Sequence, residues 1–155
     1  MRKHTFTIAL AMVLLGPPML AQQTKEPCKC QVAYENKNQV DPKPLSVRVV
    51  SGRTISEIGD IGAAQEIGAV AGACLGLFTE QEHRLIAATV ADDEGRFQFD
   101  EVPAGKYRLV VQVAGLCVAN VPLQVVRGSR SKNQKQIVVH MRPAGIDSCS
   151  YGNYK

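Results

Sequence analysis

The run ADDEGRFQFDEVPAGKYRLVVQV, from Ala91 to Val113, decides the fold. Asp92, Asp93, Glu94 and Gly95 make a polar turn that ends in a residue tolerant of positive φ. Arg96 to Phe99 then alternates, with Phe97 and Phe99 on one side and Arg96 and Gln98 on the other, the period of a half-buried strand. Val102-Pro103-Ala104-Gly105 supplies a second turn, in which proline presets φ and glycine closes the bend. From Lys106 the alternation resumes, with Tyr107, Leu109, Val111 and Val113 opposed to Arg108, Val110 and Gln112. The expectation is an antiparallel hairpin with one strongly apolar face.

Similar patterning extends on both sides. Leu45–Val50 alternates Val47 and Val49 against Arg48. Val70 to Thr79 sets Ala71, Ala73, Leu75 and Leu77 against Cys74 and Phe78. Arg84 to Ala91 sets Leu85, Ala87 and Thr89 against Ile86, Ala88 and Val90. Ala119 to Val126 alternates Val121, Leu123 and Val125, and Gln136 to Met141 alternates Ile137, Val139 and Met141 against Val138 and His140. With the two central segments these make seven short strands separated by turn chemistry, which predicts an all-β antiparallel sandwich. Ser51 to Gly68 fits least well. Ile55, Ile58 and Ile61 recur at helical spacing, but Gly59 and Gly62 weaken a helix, so a long loop with one helical turn is expected.

The acidic turn with Asp92 and Gly95, the Phe97-x-Phe99 pair, Pro103, Gly105 and Tyr107, and the valine-rich strand that follows resemble the carboxypeptidase regulatory-like domain. The match is clear over Asp92 to Val126 and looser back to Leu45. The resemblance implies a seven-stranded Greek-key, prealbumin-like sandwich over residues 45–142, related to Cna-B and starch-binding-like modules, and it also suggests a bacterial source. It names no ligand, because such folds host many activities. The related hydroxyisourate hydrolases use histidines, an arginine and a C-terminal Tyr-Arg-Gly-Ser, whereas this chain ends Tyr151-Gly152-Asn153-Tyr154-Lys155. Ring-cleaving dioxygenases of related fold need two tyrosines and two histidines, and no such pairing is evident. The lysine–asparagine crosslink of Cna-B modules lacks its lysine in Leu45–Val50 and its asparagine in Gln136–Met141.

At the N-terminus, Met1-Arg2-Lys3-His4 is a basic head, Phe6 to Leu15 an apolar run, and Met19-Leu20-Ala21 precedes polar sequence, the layout of a secretory signal peptide spanning residues 1–21. The run is shorter than the ~20 residues a membrane helix needs. Export to the periplasm or the extracellular space is therefore expected, with no transmembrane segment in the processed protein. Gln22 to Pro44 reads as a poorly ordered leader and residues 143–155 as a polar tail strapped to the surface.

Five cysteines in an exported chain point to disulfides, and the odd count leaves one over. The preferred pairing is Cys74 with Cys117, and Cys149 with Cys28 or Cys30, each bridge contributing roughly 2–4 kcal/mol. A metal site at Cys28-Lys29-Cys30 has the wrong spacing for zinc.

Composition excludes several function classes. The formal charge of +4 includes Arg2 and Lys3 of the signal, so a net of +2 remains after its removal. The basic cluster from Arg127 to Lys135 has no interleaved aromatics, and it reads as a solvated loop, not a nucleic-acid surface. Without tryptophan, and with 5% aromatics, a sugar-stacking carbohydrate-binding module is a weaker alternative. Only His83 and His140 follow the signal, the first in a polar turn and the second expected to be satisfied locally. Asp92, Asp93 and Glu94 lack the full spacing of a calcium loop, and Asp100 with Glu101 reads as turn charge. No catalytic residue, cofactor or metal is assigned. The expectation is a secreted, non-enzymatic sandwich that binds a protein or glycan, or has a structural role, at the cell envelope. A small hydrolase is a second alternative.

Overall fold

A computed structural model describes residues 31–34, 43–59, 63–128, 135–145 and 150–155. The proposed signal peptide, Cys28, Cys30, Cys149 and most of the basic cluster lie outside these residues. The described residues contain ten strands: β1 Leu45–Val47, β2 Ser51–Ile58, β3 Gln65–Ala69, β4 Cys74–Thr79, β5 Leu85–Val90, β6 Arg96–Gln98, β7 Gly105–Gln112, β8 Ala119–Val125, β9 Ile137–Met141 and β10 Tyr151–Tyr154. They form two sheets, β1-β8-β7-β4-β5 and β10-β9-β2-β3, with β6 also pairing β2. No helix occurs among the described residues.

Alternation places one face of each sheet in a common core. Leu75, Leu77, Leu109, Val111, Val121, Leu123 and Val125 come from the first sheet, and Phe97, Ile137, Val139 and Met141 from the second. The inward residues expected for β4, β7, β8 and β9 are those found there, while Phe78 of β4 and Val110 of β7 are buried on the other face. Burying each large side chain stabilises the fold by roughly 1.5–3 kcal/mol.

The expectation of seven antiparallel strands is corrected in both respects. Three further strands exist, and the sheets are mixed: β1 runs parallel to β8, and β2 parallel to β9. Both parallel pairings come from the same N-terminal stretch. Leu45–Val47 lies along one sheet, and the chain bends through residues 48–50 and continues as β2 in the other.

The described part of Ser51 to Gly68 therefore belongs largely to the pair β2–β3 and not to a loop, while Ile61 and Gly62 of the expected helical turn lie outside the described residues. The inward positions of β2 are Gly52, Thr54 and Ser56, which carry no apolar signal for a period of two. Gly52 is needed for close approach: a Cβ there would lie 1.9 Å from the Ile137 carbonyl oxygen. Thr54 binds inward through its hydroxyl, which donates to the carbonyls of Val70 at 2.7 Å and Gly95 at 3.2 Å.

The central hairpin is corrected too. β6 pairs with β2 in one sheet, whereas β7 pairs with β4 and β8 in the other. The turn at Val102–Gly105 thus carries the chain across the sandwich. Phe97 and Phe99 fill the core beneath it, edge to face with centroids 6.4 Å apart. The Tyr107 hydroxyl donates to the Pro103 carbonyl at 3.0 Å and holds the crossing in place. At the preceding turn, Gly95 has φ +73°, and Asp92 Oδ1 accepts from the backbone N–H groups of Glu94 and Arg96.

The described residues of both flanks pack against the sheets. In the leader, Val32 and Tyr34 pack with Phe78 and Val110 on the outer face of the first sheet. Gln112 grips the Ala33 backbone from both sides, accepting from its N–H at 3.4 Å and donating to its carbonyl at 3.0 Å. The tail contributes β10, antiparallel to β9.

Candidate functional site

The outer face of the second sheet carries a buried charged cluster. Parallel register sets Ile55 of β2 beside His140 of β9, and antiparallel register sets Tyr151 of β10 on its other side. Two residues along β2, on the same face, is Glu57, and two along the β9 direction is Arg142. Glu57 is 3% exposed and Arg142 1% exposed. A bulge between Ser56 and Glu57 on the β3 side marks the end of regular pairing there.

The geometry is closed. Glu57 Oε1 accepts from Arg142 Nε at 2.9 Å, and its Oε2 lies 2.7 Å from His140 Nδ1. The other imidazole nitrogen, Nε2, lies 2.9 Å from the side-chain amide of Asn153. The imidazole stacks on the Tyr151 ring at 4.5 Å and 6°, and the Arg142 guanidinium carbon sits 5.8 Å from the same ring centroid. Ser150 Oγ accepts from the Arg142 N–H at 3.0 Å and donates to the Cys117 carbonyl at 2.9 Å. Burial raises the Tyr151 phenol above its ordinary value of 10.0, and the neighbouring Glu57 carboxylate adds to the rise, partly offset by Arg142.

The chemical capacity of this arrangement is limited by its own satisfaction. A carboxylate-oriented imidazole is a general-base motif only if its outer nitrogen can reach a substrate or water. Here the Asn153 amide occupies that nitrogen. The Ser150 hydroxyl is engaged both as donor and as acceptor. Among the described residues no three His, Cys, Asp or Glu side chains converge as a metal-ligand set.

Sequence reading assigned no role to Glu57, Arg142, Tyr151 or Asn153. Glu57 lay in the supposed loop, Arg142 at the very end of the expected sandwich, and Tyr151 and Asn153 in the tail. An imidazole on a strand with an arginine two residues later, His140-Met141-Arg142, was the only available signal, since it places both side chains on one face. The expectation that His140 is satisfied locally agrees with its two partners. His83, read as solvated, is exposed but stacks on Tyr34 at 3.8 Å.

The acidic turn is not brought to this cluster. Asp92 Oδ2 accepts from Arg96 Nε at 2.9 Å, and this bond holds the Asp92 carboxyl below its ordinary value of 3.8. Asp100 and Glu101 lie at the crossing, where Glu101 has φ +45°.

The pairing of Cys74 with Cys117 is corrected. Cys117 is a buried thiol whose Sγ donates to the Pro143 carbonyl at 3.7 Å, so it is not bridged to Cys74. The reason is facial. Cys74 and Val118 both pack on the outer face of the first sheet, so Cys117, one residue before Val118, turns the other way.

No family model matches the chain, and no curated protein matches it. Among solved structures, the chain is similar to 5-hydroxyisourate hydrolase of Klebsiella pneumoniae, with 18% identity and a TM-score of 0.39 over 67% of this chain and 99% of that one. At those values the likeness assigns no activity, and the fold described above rests on its own strand pairings.

Proposed function

We propose that the protein is an exported, non-enzymatic β-sandwich of the carboxypeptidase regulatory-like kind, with a binding or structural role at the cell envelope. The single observation that carries the reading is the Glu57–His140–Arg142 cluster, in which both Glu57 carboxylate oxygens and both His140 ring nitrogens have side-chain partners. Its polar groups join β2, β9 and β10 instead of facing a substrate cleft. The export signal and the family resemblance read in the sequence supply the compartment and the kind of module. The test is turnover of peptide, ester and hydroxyisourate substrates by the purified protein, beside its His140→Ala variant. No turnover by either is expected. Robust activity abolished by that one substitution defeats the reading.

The distance of 2.7 Å between Glu57 and His140 favours one second reading, a small hydrolase in which the oriented imidazole activates water once Asn153 moves aside. Asn153→Ala separates the two readings. It creates or raises activity only if His140 is a base.

A further inference from the structure

We infer that Cys30 and Cys74 form a disulfide that staples the leader to the outer face of the first sheet, making a redox-sensitive strap. Cys30 immediately precedes the described leader residues, and the packing of those residues fixes where it falls. Gln31 to Tyr34 runs exposed, buried, exposed, half-buried, the period of an extended chain laid on a surface. Val32 and Tyr34 therefore face the sheet, and Cys30, two residues before Val32, has the same parity.

The track beneath the leader is β4, whose outer face carries Cys74, Gly76 and Phe78 in succession. Val32 sits over Gly76, where a Cβ would lie 2.9 Å from Val32 Cγ1, so the missing side chain lets the leader come close. Tyr34 packs edge to face on Phe78 with centroids 5.5 Å apart, and it stacks on His83 in the turn just beyond β4. Val32 over Gly76 and Tyr34 over Phe78 mean that the leader runs in the same direction as β4 and in step with it. Two residues advance about 6.6 Å along either extended chain, so one step back from Val32 and Gly76 sets Cys30 over Cys74. A bridge needs such facing positions, with Cα atoms roughly 4.4–6.8 Å apart. Gln112, the β7 partner of Cys74, clamps the Ala33 backbone and anchors the leader at this end. Cys28, two residues further back, falls at the Ala71–Gly72 turn, before β4 begins. Closing the bridge takes one proton and one electron from each thiol. A small-molecule or protein disulfide of the export compartment accepts both pairs and leaves as two thiols. Reduction reverses the step and releases the leader from Phe78 and Val110, which are 3% and 0% exposed in its presence.

Non-reducing tryptic mapping of the purified protein, equilibrated with oxidised glutathione, tests the pairing. Trypsin leaves the five cysteines in five different peptides, because Lys29 separates Cys28 from Cys30. Residues 30–37 joined to residues 54–84 are the expected principal link, lost on adding dithiothreitol. Cys30→Ser is expected to lower the melting temperature of the oxidised protein by about 10 °C and to raise binding of an apolar dye. Cys28→Ser should leave both unchanged, and in reductant Cys30→Ser should melt with the wild type. A principal link from Cys74 to Cys28, Cys117 or Cys149 overturns the inference. So does a Cys74 that stays a thiol under oxidation, or a Cys30→Ser variant as stable as the oxidised wild type. The oxidant is supplied in the tube, so a negative result counts against the pairing and leaves the proposed export untouched.

Discussion

In the sheet β1-β8-β7-β4-β5, leucines and valines on one face enter the core, and Val32, Phe78 and Val110 make a second apolar layer on the other. In the sheet β10-β9-β2-β3, the inward face of β2 is Gly52, Thr54 and Ser56, while its outward face buries Glu57 against His140 and Arg142. The first sheet is stabilised mainly by apolar surface removed from water. The second depends on a threonine bridge and a buried ion-pair network, whose desolvation offsets much of its own attraction. The difference teaches that two layers of one sandwich can respond in opposite ways to removal and to replacement of side chains.

The largest expected effect tests this on the second sheet. Glu57→Ala should lower the unfolding free energy by about 3–5 kcal/mol, because it leaves the buried Arg142 charge without its carboxylate. The double variant Glu57→Met with Arg142→Met should recover most of that loss in chemical denaturation. If the double variant is as unstable as the single one, the contrast between the sheets fails. Leu109→Ala, at a fully buried position of β7, should cost about 2–5 kcal/mol. Here no second polar-to-apolar change should compensate, since the loss is a cavity.

Smaller effects sharpen the comparison where the chain passes between the sheets. Tyr107→Phe keeps the ring in the core and removes only the bond to Pro103, so a loss of about 0.5–1.5 kcal/mol is expected by thermal or urea unfolding. A much larger loss would mean that this one bond determines the crossing. The smallest effect is a pH dependence. Because the Tyr151 phenol is raised in the folded state, its contribution is full below pH 10.0, the ordinary value, and is lost as pH rises through the raised one. Melting temperature measured from pH 8 to 11 should fall on the alkaline side, and Tyr151→Phe should flatten that limb.

The same division governs what could be read in advance. β4, β7, β8 and β9 were legible because each alternates apolar and other residues against a core. Their bounds agree with the sequence reading within one residue, except that the turn at Ala71–Gly72 delays β4 to Cys74. β2, β3 and β10 were not legible, because a strand whose inward positions are glycine, threonine and serine, or which lies exposed at an edge, has no hydrophobic period to detect. Glu57 shared that fate. A buried carboxylate is recognisable only when its partners are known, and Arg142 is 85 residues away.

Local alternation and turn chemistry by themselves determined that this chain forms β-strands, which side of each apolar strand faces inward, and that Gly95 and Pro103 mark its bends. Those properties depend on neighbours a few residues apart. Only the tertiary structure decided that the strands flanking Pro103 part into different sheets, that β1 and β2 run parallel to β8 and β9, and that Glu57, His140 and Arg142 meet. Pairing partners are chosen by contacts between distant segments, and no periodicity within a segment records which distant segment will lie beside it.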